Sequence, residues 1–229
     1  GQKDDPVMQL LKGRIREWEA DLVWGHYGTP IKNVHHLRLG FYKGDIFTED
    51  PTMDRDVQPI LEYMEKIRPT VVTLALDPEA SGPDTHYKVM QAIAEAIRLY
   101  KERHPEAPLR VWGYRNVWFK FQPTDVNIFV PVSLNSMAIM KETFKYCFQS
   151  QVDAPFPSFE FNGPFSGLAQ AIQVQQHQDM KRVMGRDFWY ENTHPRVRAA
   201  HGLVYLKEME LEEFYTRARE LQKVTESQA

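Results

Sequence analysis

The residues best placed to do chemistry lie in the run Asp77-Pro78-Glu79-Ala80-Ser81-Gly82-Pro83-Asp84-Thr85-His86. This run joins an apolar, β-branched stretch, Thr70 to Leu76, to a stretch in which His86, Val89, Met90, Ile93, Ile97 and Tyr100 fall on one helical stripe. In open α/β sheets such a turn lies beyond the carboxyl end of a strand, where ligands bind. Gly82 and Pro83 shape the turn, and Asp84 or Thr85 caps the helix. His86 then sits in the first helical turn, from which an imidazole could hold a metal ion at a fixed backbone position. Asp77 and Asp84 are the carboxylates close to it in sequence. The plainer alternative is that Asp84 and Thr85 only cap and that His86 is a polar first-turn residue. A second cluster is Tyr114-Arg115-Asn116-Val117-Trp118, directly after another strand-like run, Leu109 to Tyr114. The planar fork of Arg115 suits a phosphate or carboxylate, and Trp118 suits the face of a sugar. The competing reading pairs Arg115 with a neighbouring acid and buries Trp118 in the core. The remaining histidines carry weaker signals. His35-His36 falls in a strand-like run, so the rings would point to opposite faces, and His26, His104, His177, His194 and His201 are scattered without ligand spacing. Neither a Gly-x-Gly-x-x-Gly run nor a nucleophile elbow occurs.

These groups need a scaffold, and the pattern of the chain predicts one in which helix and strand alternate. A helix is expected from about Pro6 to Tyr27, with Val7, Leu10, Leu11, Ile15, Trp18 and Leu22 on its inner stripe. Val34 to Leu39 reads as a strand, and a helix capped by Asp54 follows, with Val57, Ile60, Leu61, Met64 and Ile67 on one face and Pro69 at its end. Thr70 to Leu76 is apolar enough for a strand buried on both faces. Later elements are a short strand within Asp125 to Val130, a helix capped by Ser133, a Gln-rich helix from about Pro164 to Met184 with a solvated Gln face, a strand from Ala200 to Leu206 and a closing helix from Glu210 to Val224. Residues 153–161 read as a lid or a packed loop. The expected fold class is α/β: a three-layer, Rossmann-like arrangement with a mostly parallel sheet and helices on both faces. Because a helix opens the chain with no strand before it, the first strand of such a sheet is expected to be missing, and the chain to begin inside a longer polypeptide.

Composition narrows the function classes. With 229 residues, 42% hydrophobic and 26% charged, the chain can bury a core as a single domain. Lys plus Arg is 28 against 31 Asp plus Glu, a formal charge of −3, which does not suit a nucleic-acid surface built on clustered cations. No apolar run reaches the length of a membrane span, about 18 residues, and no secretory leader is expected. The lone cysteine, Cys147, excludes a disulfide framework and a Cys-based zinc cluster, and a cytoplasmic location is the expectation.

The run Asp84-Thr85-His86-Tyr87-Lys88-Val89-Met90-Gln91-Ala92, after Asp77-Pro78, resembles the second motif of the PIG-L/LmbE family of zinc-dependent N-deacetylases, typically His-Pro-Asp-His-x-x-Val at the start of a helix. Further stretches look like the form of that domain fused to a glucosamine-6-phosphate deaminase-like domain in some bacteria. They are Arg16 to Ala20, Asn33 through Tyr42, Trp112 through Trp118, and Lys145 through Gln151 followed by Ala154 to Pro157. The resemblance covers most of the chain as one domain, with residues 207–229 a generic helical extension. It implies a zinc held by two His and one Asp with an open position for water, and a nearby Asp as general base. His86 matches a metal ligand, Asp84 is the candidate catalytic carboxylate, and Asp77, Tyr114, Arg115 and Trp118 are candidates for binding substrate. The other ligands come, in the family, from a His-Pro-Asp-Asp motif after the first strand, which this chain does not contain. Pro83 occupies the position of the motif's first His, and it has no side-chain donor to replace it.

Three functions follow as expectations. One is a domain of a glucosamine-6-phosphate deaminase-like protein that hydrolyses the amide of an N-acetylated amino sugar, with zinc in the full-length protein and an absent or partial metal site in this chain alone. Another is a sugar-binding or regulatory module that has lost the chemistry and serves an attached deaminase domain in the same polypeptide. The last is a structural domain making homo-oligomer contacts, to which 12% aromatic content and the Phe156 to Phe165 stretch would contribute. The expected partner in the first two is a small amino sugar or sugar phosphate, with neither nucleic acid nor membrane involved.

Overall fold

The computed structural model describes residues 5–40, 48–76, 84–115, 120–152 and 163–226. Its helices and strands run α1 (Pro6–His26), α2 (Gln58–Ile67), β1 (Val71–Ala75), α3 (Asp84–Arg103), β2 (Arg110–Tyr114), β3 (Ile128–Val132), α4 (Leu134–Cys147), α5 (Phe165–Met184), α6 (Arg186–Tyr190), α7 (Pro195–Arg198), β4 (Gly202–Met209) and α8 (Leu211–Glu226). The strands form one open sheet in the order β1-β2-β4-β3, with β1 parallel to β2 and β2 antiparallel to β4. This is the α/β class that the alternation predicts, with a mixed sheet consistent with a Rossmann-like fold. No helix among the described residues is long and apolar enough to cross a membrane. The chain divides into two compact units, Gly1–His36 with Pro131–Val204, and Leu37–Val130 with Tyr205–Ala229.

The unit of Leu37–Val130 and Tyr205–Ala229 is built around β1, α3 and β2. Parallel neighbours need a crossover, and α3 supplies it. Of its expected stripe Met90, Ile97 and Tyr100 are buried and His86, Val89 and Ile93 half-buried, with Ala94 buried beside them. Val71 pairs with Arg110 and Ala75 with Tyr114, so the two strands end level. Gly113 makes this pairing possible, because a Cβ there would stand 2.8 Å from both Cβ and Cδ2 of Leu76. Glu208 ties β4 to β2, accepting from Trp112 Nε1 at 2.7 Å and from the Arg110 guanidinium at 2.8 Å. Asn127 bonds both backbone groups of Glu208 from the other side. On α8, Phe214 and Ala218 are buried, and the Ala218 carbonyl accepts from Gln91 on α3 at 3.0 Å. Helix α2 buries Leu61 and Met64 and stops where Arg68 turns left-handed at φ 49°, one residue before Pro69. A π-helical turn, Met53–Val57, leads into α2.

Asp54 therefore lies inside that π turn rather than capping a helix, and the carboxylate that organises the turn is Asp56. Asp56 is fully buried and accepts from the backbone N–H groups of Gly40 (2.7 Å) and Thr52 (2.9 Å) and from Arg55 (3.0 Å). Burial alone would raise its pKa, but the bonds from Arg55, Thr52 and Gly40 outweigh it and hold the carboxyl below its usual range. A side chain at Gly40 would collide with the Arg55 stem. Two strand expectations also change. Residues 34–39 form no strand, and Arg38 sits at φ 52°, which breaks an extended run. β1 is not buried on both faces, because it is an edge strand on which Leu74 is buried while Val71 and Thr73 are exposed.

The unit of Gly1–His36 and Pro131–Val204 is helical apart from its parts of β3 and β4. Asp5 caps α1 by accepting from Met8 N–H, with Pro6 in the first turn. The stripe Val7, Leu10, Leu11, Ile15, Trp18 and Leu22 does not enter a core; all six side chains are exposed. Helix α1 packs on α4 through a different face, and Glu19 is its one buried residue. The Glu19 carboxylate takes Ser150 N–H at 2.6 Å and Ser150 Oγ at 2.7 Å, so one polar anchor, rather than the apolar stripe, seats this helix. His36 pairs with Asp21 of α1 at 2.9 Å. Ser133 caps α4 as expected, and α4 buries Met137 and Cys147, where burial pushes the thiol pKa up. The Gln face of α5 is not solvated throughout: Gln176 is buried and Gln170 donates to the Met137 carbonyl at 2.7 Å. Next to Gln176, His177 is buried with its ring edge-on to Trp189 of α6, centroids 4.6 Å apart.

Two outcomes are expected. Gly113→Ala should lose about 1–3 kcal/mol of stability by overpacking against Leu76, read as a lower denaturant midpoint with unchanged slope. His177 has its pKa lowered by burial and then by Lys181 and His201. Its unfolded form thus takes up a proton at a pH where the folded form does not. The stability it supports is present above its ordinary value of 6.5 and is lost as pH falls below it. The stability–pH curve of His177→Phe should therefore be flatter than that of the wild type in the acid range, by at most about 1.4 kcal/mol per pH unit.

Candidate functional site

The level ends of β1 and β2 define the place where chemistry would sit. Leu76 N–H donates to the Tyr114 carbonyl at 2.7 Å, one step past the last strand pair, and holds the two exits together. In a parallel pair, both carboxyl ends and the amino terminus of the crossover helix face the same crevice. Tyr114 and Arg115 lie at the exit of β2, and α3 starts at Asp84. Of the candidates, Asp77 and Trp118 fall outside the described residues, as do Pro83 and the rest of the turn at 77–83. Asp84 is placed by its backbone as the first residue of α3.

His86 lies in the first turn of α3 and is half-buried. Among the described residues no three His, Cys, Asp or Glu side chains gather as a metal-binding group. A catalytic zinc takes three protein ligands, and among the described residues His86 would supply one of them. Tyr114 is partly exposed, and burial of the rest of its ring pushes the phenol pKa up; its hydroxyl can donate a hydrogen bond, as any neutral phenol can. The Arg115 guanidinium lies over the Phe121 ring, 4.7 Å from its centroid, with Nη1 donating to the Lys120 carbonyl at 3.5 Å. The aromatic face holds the planar cation flat.

Lys88 is a residue of this region that the motif did not single out. It is buried one half-turn beyond His86, its Nζ donates to the Thr48 carbonyl at 2.7 Å, and it stands 3.4 Å from Asp50. The start of α3 is thereby pinned to the segment that precedes the π turn. The available signal was the spacing to Ala92 and Ala96, both essentially fully buried, which makes 88-92-96 a second inward stripe beside the apolar one. Lys88→Met is expected to cost about 1–3 kcal/mol, since it strands a half-buried carbonyl, and to raise amide exchange at residues 48–50 and in the first turn of α3 while the last turn keeps its protection.

Comparison with known proteins adds one likeness. The chain is 26% identical over 185 residues to a curated Bacteroides thetaiotaomicron protein named as glucosamine-6-phosphate deaminase-like. The match takes in 80% of this chain but 26% of the relative, so the chain spans about a quarter of the length of the curated protein it matches. No family model matches the chain. No solved structure matches it at a significant level.

Proposed function

We propose that this chain works in amino-sugar metabolism as one domain of a longer polypeptide, binding an amino sugar or sugar phosphate beyond the carboxyl ends of β1 and β2. The observation that carries this is the likeness to the Bacteroides glucosamine-6-phosphate deaminase-like protein across most of the chain. The crevice offers suitable groups. The flat Arg115 cation suits a phosphate, Tyr114 offers a hydroxyl donor, and the amino terminus of α3 adds positive potential. Asp77 and Trp118 would add a hydroxyl acceptor and a stacking face. The lone, buried cysteine suits a cytoplasmic setting.

The finer reading is amide hydrolysis of the N-acetyl form. A zinc bound in the longer polypeptide would activate water and polarise the acetamide carbonyl. His86 would be this chain's ligand, the remaining ligands would come from elsewhere in the polypeptide, and Asp84 would hold or pass a proton beside the reacting amide. Pro83, in the place of the motif His, favours a second reading in which the domain binds the sugar without hydrolysing it and serves an attached deaminase domain.

Calorimetry of this chain with glucosamine 6-phosphate and with its N-acetyl form separates the proposal from its failure. Saturable binding that Arg115→Ala weakens about 10-fold is expected, a loss comparable to one charged hydrogen bond. Silence with both sugars at millimolar concentration would remove the reading. In the longer polypeptide, acetate released from N-acetylhexosamines and abolished by a chelator identifies the deacetylase; sugar binding without acetate identifies the binding module.

A further inference from the structure

We propose that the groove at the amino ends of β1 and β2 is a binding site separate from the crevice, for a small monocarboxylic acid with an apolar body whose carboxylate is held by Arg68 and Tyr100. The groove lies just before Val71 and Arg110, where the two strands begin, and its volume of about 400 Å³ is that of a small-molecule pocket. Tyr100 of α3 lines it while being only 2% exposed, and the Tyr100 hydroxyl has no hydrogen-bond partner among the described residues. Buried polar groups are normally bonded, so a phenol left without a partner at a groove marks a place for a ligand oxygen. The ring itself is held by His104, centroids 4.8 Å apart.

Arg68 supplies the charge. It ends α2 in the left-handed conformation, φ 49° and ψ 63°, since Pro69 disfavours a helical residue before it. Glycine is the usual occupant of that position, and an arginine holds it at a cost. The neighbouring cations are committed. Arg103 and His104 bond Glu65 at 3.3 and 2.5 Å, and Lys101 Nζ bonds the carbonyls of Pro105 and Ala107 at 2.5 and 2.7 Å. Arg68 lines the groove, is exposed and has no acidic partner among the described residues, so its fork is free for a carboxylate. Pro69, Pro105, Ala107 and Pro108 give apolar walls that Lys101 stiffens. Glu106 also lines the groove and has no cationic partner among the described residues. With one free cation and one free acid in the lining, a singly charged carboxylate suits the groove better than a phosphate carrying up to about two charges.

Titration of the isotope-labelled chain with phenylacetate and with its uncharged amide, followed by amide chemical shifts, tests this. Phenylacetate should bind saturably with a Kd of roughly 1–10 mM and move the amides of Thr70, His104, Glu106 and Ala107, with phenylacetamide about 10-fold weaker. Tyr100→Phe removes an unbonded hydroxyl, so stability should hold while binding weakens about 5-fold. Arg68→Gly suits the left-handed position, so its denaturant midpoint should be kept or raised while binding weakens at least about 10-fold. No saturable shift at these amides by about 50 mM phenylacetate would overturn the proposal. So would equal affinity for the acid and its amide, or an Arg68→Gly chain that binds as tightly as the wild type. Shifts confined to Tyr114 and Arg115 would assign the acid to the crevice and overturn it as well.

Discussion

The parallel pairing of β1 with β2 is the constraint on which the candidate site rests. It requires Leu76 to lie against a residue with no side chain, and Gly113 meets that requirement. Once the strands pair in this register they end together, the crossover helix must start at the same edge, and Arg115 must emerge beside it. The register of β1 and β2, and with it the position of Tyr114 and Arg115 at the end of β2, follows from this one close approach.

Three carboxylates carry much of the remaining specification. Asp56 gathers two backbone N–H groups and Arg55 around the π turn, Glu19 seats α1 by way of Ser150, and Glu208 spans β4 and β2. A buried carboxylate is costly unless its lone pairs are met by good donors, so the Asp56 and Glu19 sites tolerate few alternative arrangements of their neighbours. Apolar packing alone would leave more freedom. The first turn of α3 is fixed in a related way, by a buried cation on a main-chain carbonyl.

Much of this was legible in the residue pattern, for identifiable reasons. The period of α3 survives because burial of its inner side chains decides its structure, and the run of β1 survives because β-branched residues suit an extended backbone even where they are exposed. The Ser133 cap and the Arg68–Pro69 stop are local chemistry and read well from a few residues. The misreadings share one cause, which is that an apolar or extended pattern states a need for a neighbour without naming it. Val34 to Leu39 has the composition of a strand but no pairing partner among the described residues, and the α1 stripe has the spacing of a core face while its helix is held by Glu19. Lys88 escaped because lysine is rarely interior. At the site, Arg115 on Phe121 is a contact between residues whose meeting depends on the path of the chain after β2.

The two outer margins of the sheet differ in a way that bears on how it can grow. On β3 the Val132 carbonyl bonds inward to His201 N–H, so the neighbouring Pro131 turns outward and presents a nitrogen with no hydrogen to offer. On β1 the Thr70 carbonyl and Leu76 N–H bond inward to β2, so Val71, Thr73 and Ala75 turn their donors and acceptors the other way, with no proline among them. Lateral extension is blocked at one flank and invited at the other. Any additional ribbon, whether covalently continuous with this chain or foreign to it, would enter beside β1.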